Sequence, residues 1–405
     1  MPMIEQSDEA GAIDPGNVEF FDFENDEEYR KDPQGRLNGL RDRHRLFYTP
    51  KGRKSLLGGG TWVFTHGADI RAVLQDPETF RSSGNRPFGK ALGENWVLVP
   101  IDLDPPEHTR MRKFMNPLFS PKRVAELAGK VERRAVELIT PLQGRQGCSF
   151  IEDFARPFPV TIFLEMFGLP VSEMPKFVDW VEAIIHSQGQ VQLDAMRELR
   201  DYLAIVIEDR RQSPRDDLIS LAVTAEIEGK ALTYDELMGM CIMLFMGGLD
   251  TVTSSLSFIF RHLAENPEHQ EFLRKFPDMI PTAIEELLRA YPIITTGRIA
   301  SRDVDFDGIV IRKGENVACP LACSSRDPDE IDGSTEIDLT RNPNRHSAFG
   351  FGPHRCIGSH LARRELVVAV EQWLKLLQPF RLPPNVQLSA TGAGVVALDT
   401  LPLVW

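Results

Sequence analysis

The most informative part of the sequence is FGFGPHRCIG, residues 349–358. Glycines and a proline crowd into a short loop, and an amphipathic helix is predicted directly after the cysteine, over about 357–377. Cys356 therefore stands at a helix N-terminus, where the helix dipole and free backbone N–H groups favour a thiolate. Gly352 and Gly358 permit a tight turn and a close approach of the backbone.

A thiolate presented in this way meets the requirement for a strongly donating axial ligand of haem iron. A lone cysteine in a turn is more often a small buried residue, and no obvious Cys–His–Asn arrangement supports a nucleophile. The spacing Phe-x-x-Gly-x-x-x-Cys-x-Gly, carried by Phe349, Gly352, Cys356 and Gly358, resembles the cysteine loop of the cytochrome P450 family. The resemblance implies haem b as the cofactor, with Cys356 as the iron ligand.

A second unusual stretch is MLFMGGLDTV, residues 243–252, inside a predicted apolar helix. Interior glycines cost about 1 kcal/mol each, and a carboxylate in an apolar run is unfavourable unless it is paired. Either a close helix crossing or a functional site explains this departure from local rules. In the family that the chain resembles, Gly248, Asp250 and Thr251 match the segment that manages protons for dioxygen activation. Gly247 and Gly248 would then let the flat cofactor lie against the helix.

Four cationic side chains match the family's contacts with the two haem propionates. They are His108, Arg112, Arg298 and His354. His108 and Arg112 share one face of a predicted helix at i, i+4. Each of the four could instead be an ordinary surface charge, and the haem interpretation depends on their occurring together.

Glu286-x-x-Arg289 matches a structural ion pair of the same family, with an expected role in fold integrity. Five other Glu-x-x-Arg spacings occur in the chain, so the spacing alone has no value. The position of this one selects it, 70 residues before Cys356 and directly before Tyr291.

The resemblance is closest to the bacterial camphor hydroxylase subgroup and covers nearly the whole chain. Trp96 stands where that subgroup has a tyrosine that hydrogen-bonds a substrate ketone; an indole N–H can also donate, but its bulk and direction differ. The residues expected to line an apolar substrate pocket are Trp96, Met243, Met246, Ile294, Thr295 and Val395. The expected substrate is a compact terpenoid or norisoprenoid, with a fatty acid or xenobiotic left open.

Composition narrows the functional classes. The formal net charge of −13 argues against nucleic-acid binding and against attraction to anionic membranes. The acidic N-terminus is unlike a signal peptide, and the longest apolar run, 237–249, is too short to span a bilayer. Five cysteines without a CxxC pair suit a reducing compartment. A cytoplasmic protein with no membrane attachment is therefore expected.

The predicted architecture is mainly α with a small β portion, the cytochrome P450 fold in a single large domain. Residues 1–20 are expected to be a loosely ordered segment, and 21–405 the haem-binding monooxygenase domain. Helical patterns dominate from about 105 to 290, and one helix is predicted over about 234–264. Short strands follow Pro292.

The resemblance implies a monooxygenase that inserts one oxygen atom of O2 into a substrate C–H bond. Electrons would come from a [2Fe–2S] ferredoxin and its NAD(P)H-dependent reductase. Between Asp338 and Glu365 the chain has no acidic residue, so this stretch could form a basic docking face for an acidic donor. The arginines in that stretch are Arg341, Arg345, Arg355, Arg363 and Arg364.

Three other functions compete with this one. A hydrogen-peroxide-driven peroxygenase and a non-catalytic haem sensor would share the fold. An isoprenoid synthase needs an aspartate-rich magnesium motif, and Asp216-Asp217 lacks the final carboxylate of such a motif.

Overall fold

The computed structural model describes residues 15–51, 60–86, 88–187 and 189–405. Its α-helices are α1 (Glu27–Lys31), α2 (Pro33–Arg41), α3 (Gly67–Gln75), α4 (Phe88–Ala91), α5 (Glu107–Met115), α6 (Pro121–Ile139), α7 (Pro157–Met166), α8 (Met174–Val181), α9 (Gln190–Gln212), α10 (Leu218–Val223), α11 (Tyr234–Glu265), α12 (Pro267–Lys275), α13 (Ile280–Ala290), α14 (Leu321–Ser325) and α15 (Ser359–Leu376). The mainly α architecture with a small β portion is the one that the sequence predicts.

The strands are short and form one main sheet with four accessory pairs. They are β1 (Leu46–Thr49), β2 (Thr61–Phe64), β3 (Phe80–Arg81), β4 (Gly147–Ser149), β5 (Glu226–Ile227), β6 (Lys230–Ala231), β7 (Thr295–Ala300), β8 (Val304–Phe306), β9 (Ile309–Ile311), β10 (Asn316–Pro320), β11 (Ala390–Thr391), β12 (Ala397–Leu398) and β13 (Pro402–Val404). The main sheet has the order β1-β2-β10-β7-β3, in which β2 and β10 are parallel and the other pairs antiparallel.

The long helix α11 joins the two halves of the hydrophobic core. It begins with a reciprocal capping box, in which Thr233 accepts from the backbone of Glu236 while the Glu236 carboxylate accepts from the backbone of Thr233. Residues up to Leu249 pack in one apolar cluster, and residues from Val252 onwards pack in the other. The segment 247–251 therefore lies where the two clusters meet.

Helix α11 is also the one helix in the described part of the chain that is long and apolar enough to cross a membrane. However, 67% of its most apolar window is buried inside the protein, as in the core helix of a soluble protein. A helix that is apolar all round is typical of the centre of a large core.

Helix α15 follows the cysteine loop and begins two residues later than the sequence suggests. Gly358 occupies the N-cap position and Ser359 is the first helical residue. The helix packs against α6, α11 and α13, with the indole of Trp373 fully buried. The loop before α15 is therefore attached to the centre of the protein through this helix.

Part of the segment expected to be loosely ordered is described. Residues 1–14 lie outside the described residues, whereas Pro15–Asn17 form a 3-10 turn. Val18 then pairs with Tyr48 beside the main sheet.

Candidate functional site

The loop before Cys356 is a tight turn, and one of its positions can be occupied only by glycine. The Cys356 N–H donates to the Phe349 carbonyl at 2.8 Å, and the Arg355 N–H donates to Gly352 at 3.1 Å. Gly352 has a φ of 67°, and a Cβ there would overlap the carbonyl oxygen of Leu74. The glycine is therefore required both by the backbone conformation and by the neighbouring chain.

The Cys356 thiol is surrounded by protein yet accessible. Burial raises its pKa, while a hydrogen bond from the Gly358 backbone and the charges of Arg112 and Arg355 oppose that effect. The other four cysteines are buried, and Cys356 alone is exposed. The sulfur of a thiol that is both desolvated and accessible can bind a metal or an electrophile, and we call the space that Cys356 faces the chamber.

The cationic residues predicted from the sequence come together beside this loop. The rings of His108 and His354 lie 4.1 Å apart between centroids, and His108 and Arg298 are 2% and 4% exposed. Neither ring nitrogen of His108, nor Nε2 of His354, has a hydrogen-bond partner among the described residues. We call His108, Arg112, Arg298 and His354 the propionate-edge cluster.

Burial and the positive charges of its own members lower the pKa values of this cluster. Burial, followed by the charge of Arg112, lowers the pKa of His108 to about 4. Burial, followed by the charge of Arg298, lowers the pKa of His354 to about 2, and burial lowers that of Arg298 to about 10. Buried cations without counter-charges are unfavourable. The two carboxylates of haem would supply the missing charge and accept from the unpartnered nitrogens, so these residues fit the cofactor.

Arg112 links the propionate-edge cluster to the cysteine loop. Its Nη1 donates to the carbonyl of Arg355 at 2.8 Å and its Nε donates to Asn116 at 2.8 Å. Burial lowers its pKa, whereas the charge of Cys356 acts in the opposite direction. A single guanidinium thus contacts the chain next to the thiol and belongs to the cationic cluster.

The glycine pair of α11 does not mark a helix crossing. Gly248 is exposed although the helix around it is buried, and a Cβ built there would meet no described atom within 4 Å. A Cβ on Gly247 would meet only the end of the Met243 side chain. The sequence left two explanations, a close helix crossing and a functional site. These contacts do not agree with a crossing. They agree with a functional site, because the two glycines leave one face of α11 without side chains, which we call the open face.

Asp250 and Thr251 follow this open face directly. Asp250 is 3% exposed. The hydroxyl of Thr251 is partly buried and donates to the Gly247 carbonyl at 2.9 Å. Donation back to the preceding turn leaves the Thr251 oxygen able to accept another hydrogen bond. A carboxylate and a hydroxyl thus adjoin the part of α11 that carries no side chains.

The residues expected to line a substrate pocket have different environments. Met243 and Met246 are partly buried on α11, and Ile294 pairs with Val395 across an isolated bridge. Thr295, the first residue of β7, is 3% exposed. Met243 and Met246 therefore come from α11, whereas Ile294, Thr295 and Val395 come from the two segments that this bridge joins.

The environment of Trp96 differs from that of a residue that donates a hydrogen bond to substrate, which its sequence position suggested. Its side chain is 2% exposed, and its indole N–H donates to the carboxylate of Glu94. The second oxygen of Glu94 accepts from Arg200 of α9. The indole N–H of Trp96 is consequently already used in a hydrogen bond within the protein. Sequence reasoning overlooked Glu94 because a carboxylate two residues away gives no pattern signal.

Glu286 and Arg289 form a fully buried network behind the cysteine loop. Both side chains are 0% exposed and are joined at 2.8 Å. Glu286 also accepts from Arg341 and Asn344, and Arg289 donates to the carbonyl of Ser334 at 2.6 Å. The pair therefore joins α13 to the chain leading to the cysteine loop.

Glu285 forms a second ion cluster that the sequence did not reveal. It accepts from His346 at 2.9 Å and from Arg363 at 2.6 and 2.8 Å, and Arg363 lies over the ring of Phe349. Burial would raise the pKa of Glu285, but these two donors outweigh it and lower the pKa to about 2. In the sequence, the position of Glu285 next to Glu286 was the one sign that it could take part in an ion cluster.

These contacts change the expected basic face. Arg341 and Arg363 are neutralised by Glu286 and Glu285 and belong to the interior network. Arg345 and Arg355 remain exposed. The basic surface near the loop is therefore smaller than the run of arginines in the sequence suggests.

No group of three or more His, Cys, Asp or Glu side chains in the described ranges is arranged to hold a metal ion. A metal bound at Cys356 would thus have one thiolate from the protein. A macrocycle such as haem would supply the other ligands of the metal itself.

The chain resembles known proteins over nearly its whole length. A family model described as Cytochrome P450 matches residues 48–275 and 278–391. A probable cytochrome P450 127A1 of Sinorhizobium fredii is 39% identical over 361 residues, covering 89% of this chain and 86% of that protein. A steroid C26-monooxygenase of Mycobacterium tuberculosis is 32% identical over 353 residues, covering 84% and 93%. The crystal structure of cytochrome P450 CYP101C1 superimposes with a TM-score of 0.87 and 32% identity, covering 97% and 98% of the two chains.

Proposed function

The chain belongs to the cytochrome P450 family, whose cofactor is haem b, and on that premise we propose that it hydroxylates a compact apolar substrate with electrons from a [2Fe–2S] ferredoxin. The family is one of monooxygenases, so the chain is an oxidoreductase that uses O2. The proposed substrate class is a terpenoid or norisoprenoid, and the proposed location is the cytoplasm, where its five free thiols would persist.

One observation carries the proposal: an accessible, desolvated thiol lies beside a buried cationic cluster with unpartnered imidazole nitrogens. We assign Cys356 as the iron ligand, with the Gly358 N–H and the Arg112 charge favouring its thiolate form. Phe349, Gly247 and Gly248 would border the cofactor. His108, Arg112, Arg298 and His354 would receive the propionates.

When bound, haem supplies the activation of O2 and the oxidation of the C–H bond. We assign proton management to Asp250 and Thr251. The Thr251 hydroxyl donates to the Gly247 carbonyl, so its oxygen can accept from a group in the chamber. Asp250 adds a titratable carboxyl one residue away on the same helix. Proton transfer by positioned groups of this kind is worth about 10²- to 10⁴-fold in rate.

The preference for an apolar substrate rests on the donors near the chamber. The indole N–H of Trp96 is bound to Glu94, and the Thr251 hydroxyl donates to its own helix. The Thr296 hydroxyl accepts from Arg298. Met243 and Met246 would instead offer adaptable apolar contacts. Recognition would therefore depend on shape and on burial of hydrocarbon surface more than on hydrogen bonds to the substrate.

The ferredoxin is proposed to dock on the exposed arginines near the cysteine loop, Arg345 and Arg355. Opposite charges accelerate encounter, and salt screens the effect. We expect the double substitution Arg345→Glu/Arg355→Glu to raise the KM for a [2Fe–2S] ferredoxin several-fold at low ionic strength, with the difference shrinking at high salt. Arg215→Glu, on an exposed arginine of the α9–α10 connection, is the matched control. An unchanged KM in the double variant would contradict this docking face.

The whole proposal is tested on purified holoprotein in two steps. First, the reduced protein is expected to give the carbon monoxide difference spectrum typical of a thiolate-ligated haem. Second, a spin-state screen of bicyclic terpenoids and norisoprenoids identifies ligands, and each is incubated with NAD(P)H, ferredoxin and reductase. Product oxygen labelled by ¹⁸O2, coupled to NAD(P)H consumption, supports the monooxygenase.

The alternatives give different results in the same experiment. Turnover with hydrogen peroxide but none with the electron-transfer chain would indicate a peroxygenase. Ligand binding without any product would indicate a sensor. Protein that takes up no haem would overturn the proposal altogether.

A further inference from the structure

A buried ion pair lies in the segment that precedes α5, outside the residues predicted for the site. Nη1 of Arg86 donates to Oδ1 of Asp102 at 2.9 Å, and the Asp102 side chain is 2% exposed. The other carboxylate oxygen, Oδ2, is buried and has no hydrogen-bond partner among the described residues. A buried carboxylate with one oxygen unsatisfied is unfavourable, so it calls for an explanation.

The ion pair belongs to the surroundings of the propionate-edge cluster. Strand β3 pairs with β7 so that Arg81, five residues before Arg86, lies opposite Ile299, the neighbour of Arg298. The chain that leads to Arg86 therefore starts beside Arg298. Burial lowers the pKa of Arg298, and the charge of Arg86 acts in the same direction. The guanidinium is partly buried, with 19% of its side chain exposed.

The local chain holds the pair where it is. The backbone N–H groups of Ser82 and Ser83 donate to the carboxylate of Asp104, and the Ser82 hydroxyl donates to the Ile101 carbonyl at 2.6 Å. These bonds tie the chain before Arg86 to the chain around Asp102. Asp104 is used in this way, which leaves Asp102 as the carboxylate that faces Arg86.

We propose that Arg86 is a fifth cation directed toward the haem propionates and that Asp102 is a positioning residue that orients it, so that this pair sets the electrostatic potential at the bound haem. The inference rests on the proposed propionate contacts. A guanidinium has five donors in a planar fork, so it can bind Asp102 with one nitrogen and a propionate with another. The negative charge of Asp102 limits the excess of positive charge at this edge.

Reduction of the haem adds an electron, so nearby charges shift the reduction potential in a defined direction. Removing the positive charge in Arg86→Gln is expected to lower the reduction equilibrium constant at least about threefold, which is a negative shift of about 28 mV for one electron. Removing the negative charge in Asp102→Asn is expected to shift the potential in the positive direction. Arg81→Gln, an exposed arginine of β3, is the matched control and is expected to leave it unchanged.

The second readout is cofactor retention. Transfer of haem from each holoenzyme to excess apomyoglobin is followed by absorbance, and Arg86→Gln is expected to transfer haem at least about threefold faster than wild type because one propionate contact is lost. Arg86→Lys keeps the charge and is expected to stay within about 1.5-fold of the wild-type reduction equilibrium. Asp102→Asn, with its shift of defined sign, carries the test if the glutamine variant yields no holoenzyme.

The pH dependence of the potential provides a third arm. Burial is the main cause that raises the pKa of Asp102 to about 6, Arg86 opposes it, and the charge of Asp104 adds to it. As the pH falls through about 6, protonation removes a negative charge, so the potential is expected to rise in wild type. This rise should be absent in Asp102→Asn.

Two results would overturn the inference. One is that Arg86→Gln matches Arg81→Gln in both potential and haem transfer. The other is that Asp102→Asn shifts the potential in the same direction as Arg86→Gln, since a merely structural pair would give changes of no fixed sign. A wild-type protein that binds no haem would instead contradict the proposed function.

Discussion

The support behind Cys356 and the segment 82–106 contribute different kinds of contact to the site. Behind the cysteine, Glu286 is fully buried and accepts from Arg289, Arg341 and Asn344. Outside α4, the described residues of the segment 82–106 are mostly irregular. Their contact with α11 includes one backbone hydrogen bond, from the Val99 N–H to the Gly239 carbonyl at 3.3 Å. Glu94 and Arg86 each add one ion pair there.

This difference suggests that the support behind Cys356 is rigid and that the segment 82–106 can adapt to a ligand. A metal ligand has to be held within narrow limits, and several buried partners on one carboxylate achieve that. A wall of irregular backbone lacks the repeated hydrogen bonds of a helix or a strand, so it adapts at lower free energy, which suits the entry and fit of a substrate. We therefore expect substitutions behind the cysteine to affect folding and cofactor binding, and substitutions in 82–106 to affect ligands and potentials.

The largest effect is expected at the ligand itself. Cys356→Ser should abolish the thiolate-type carbon monoxide spectrum and all monooxygenase turnover, because a serine oxygen is a weaker donor to iron. Cys241→Ser, at a buried cysteine of the core, is the control and should retain the spectrum. A thiolate-type spectrum in Cys356→Ser would refute the assignment of the ligand.

The next largest effect is expected in the buried network. Glu286→Gln should lower the free energy of unfolding by about 3–5 kcal/mol, because Arg289 is left buried without its counter-charge. The control is Glu208→Gln, which removes a Glu-x-x-Arg pair on the surface of α9 and should cost at most about 1 kcal/mol. Chemical denaturation followed by fluorescence measures both. Equal losses in the two variants would show that burial does not distinguish the pairs.

On α11 we expect a change in catalysis with little change in stability. Asp250→Asn should reduce the rate of product formation about 100-fold, since an amide cannot transfer the proton, while the carbon monoxide spectrum is retained. Asp216→Asn, at an exposed aspartate, should have no effect. Full product formation by Asp250→Asn would remove this carboxyl from the mechanism.

A pH-dependent contribution is expected from Glu285. Its pKa in the folded protein, about 2, is below the ordinary value of 4.5, so the stability it contributes is complete above pH 4.5 and is lost as the pH falls toward 2. We expect wild type to exceed Glu285→Gln by roughly 2 kcal/mol at pH 6, after allowance for the carboxylate's partial exposure, and by about 1 kcal/mol less at pH 3.5. Urea denaturation at the two pH values measures this. A constant difference would mean that folding does not lower the pKa of Glu285.

The smallest effect is expected at Trp96. Because its N–H is already bound to Glu94, Trp96→Phe should change the ratio of dissociation constants for a bicyclic ketone and its parent hydrocarbon by less than about threefold. A lost substrate hydrogen bond of about 1 kcal/mol would change that ratio about fivefold. Spin-state titration of both ligands gives the two constants. Selective weakening of the ketone would show that the indole binds substrate.

The cysteine loop and the glycine pair could be read from the sequence because each is a local pattern. The positive φ of Gly352 and the apolar periodicity of α11 are both properties of short stretches of chain. Glu94, Asp102 and Glu285 could not be predicted in this way. Their partners are Arg200, Arg86 and Arg363, and a carboxylate whose partner lies far along the chain looks like any surface acid.

Residues that are adjacent in the chain determined a tight turn that presents a cysteine, a long core helix with an open face, and the mainly α class of the fold. The tertiary structure alone decided which charges meet. It pairs Arg341 with the buried Glu286 and Arg363 with the partly buried Glu285. It also pairs Arg86 with Asp102, on the chain that follows the strand paired beside Arg298. The physical reason is the distance along the chain over which each kind of interaction acts. Backbone strain and hydrophobic periodicity act over a few residues, whereas Coulomb interactions and desolvation depend on distances that only the folded chain defines.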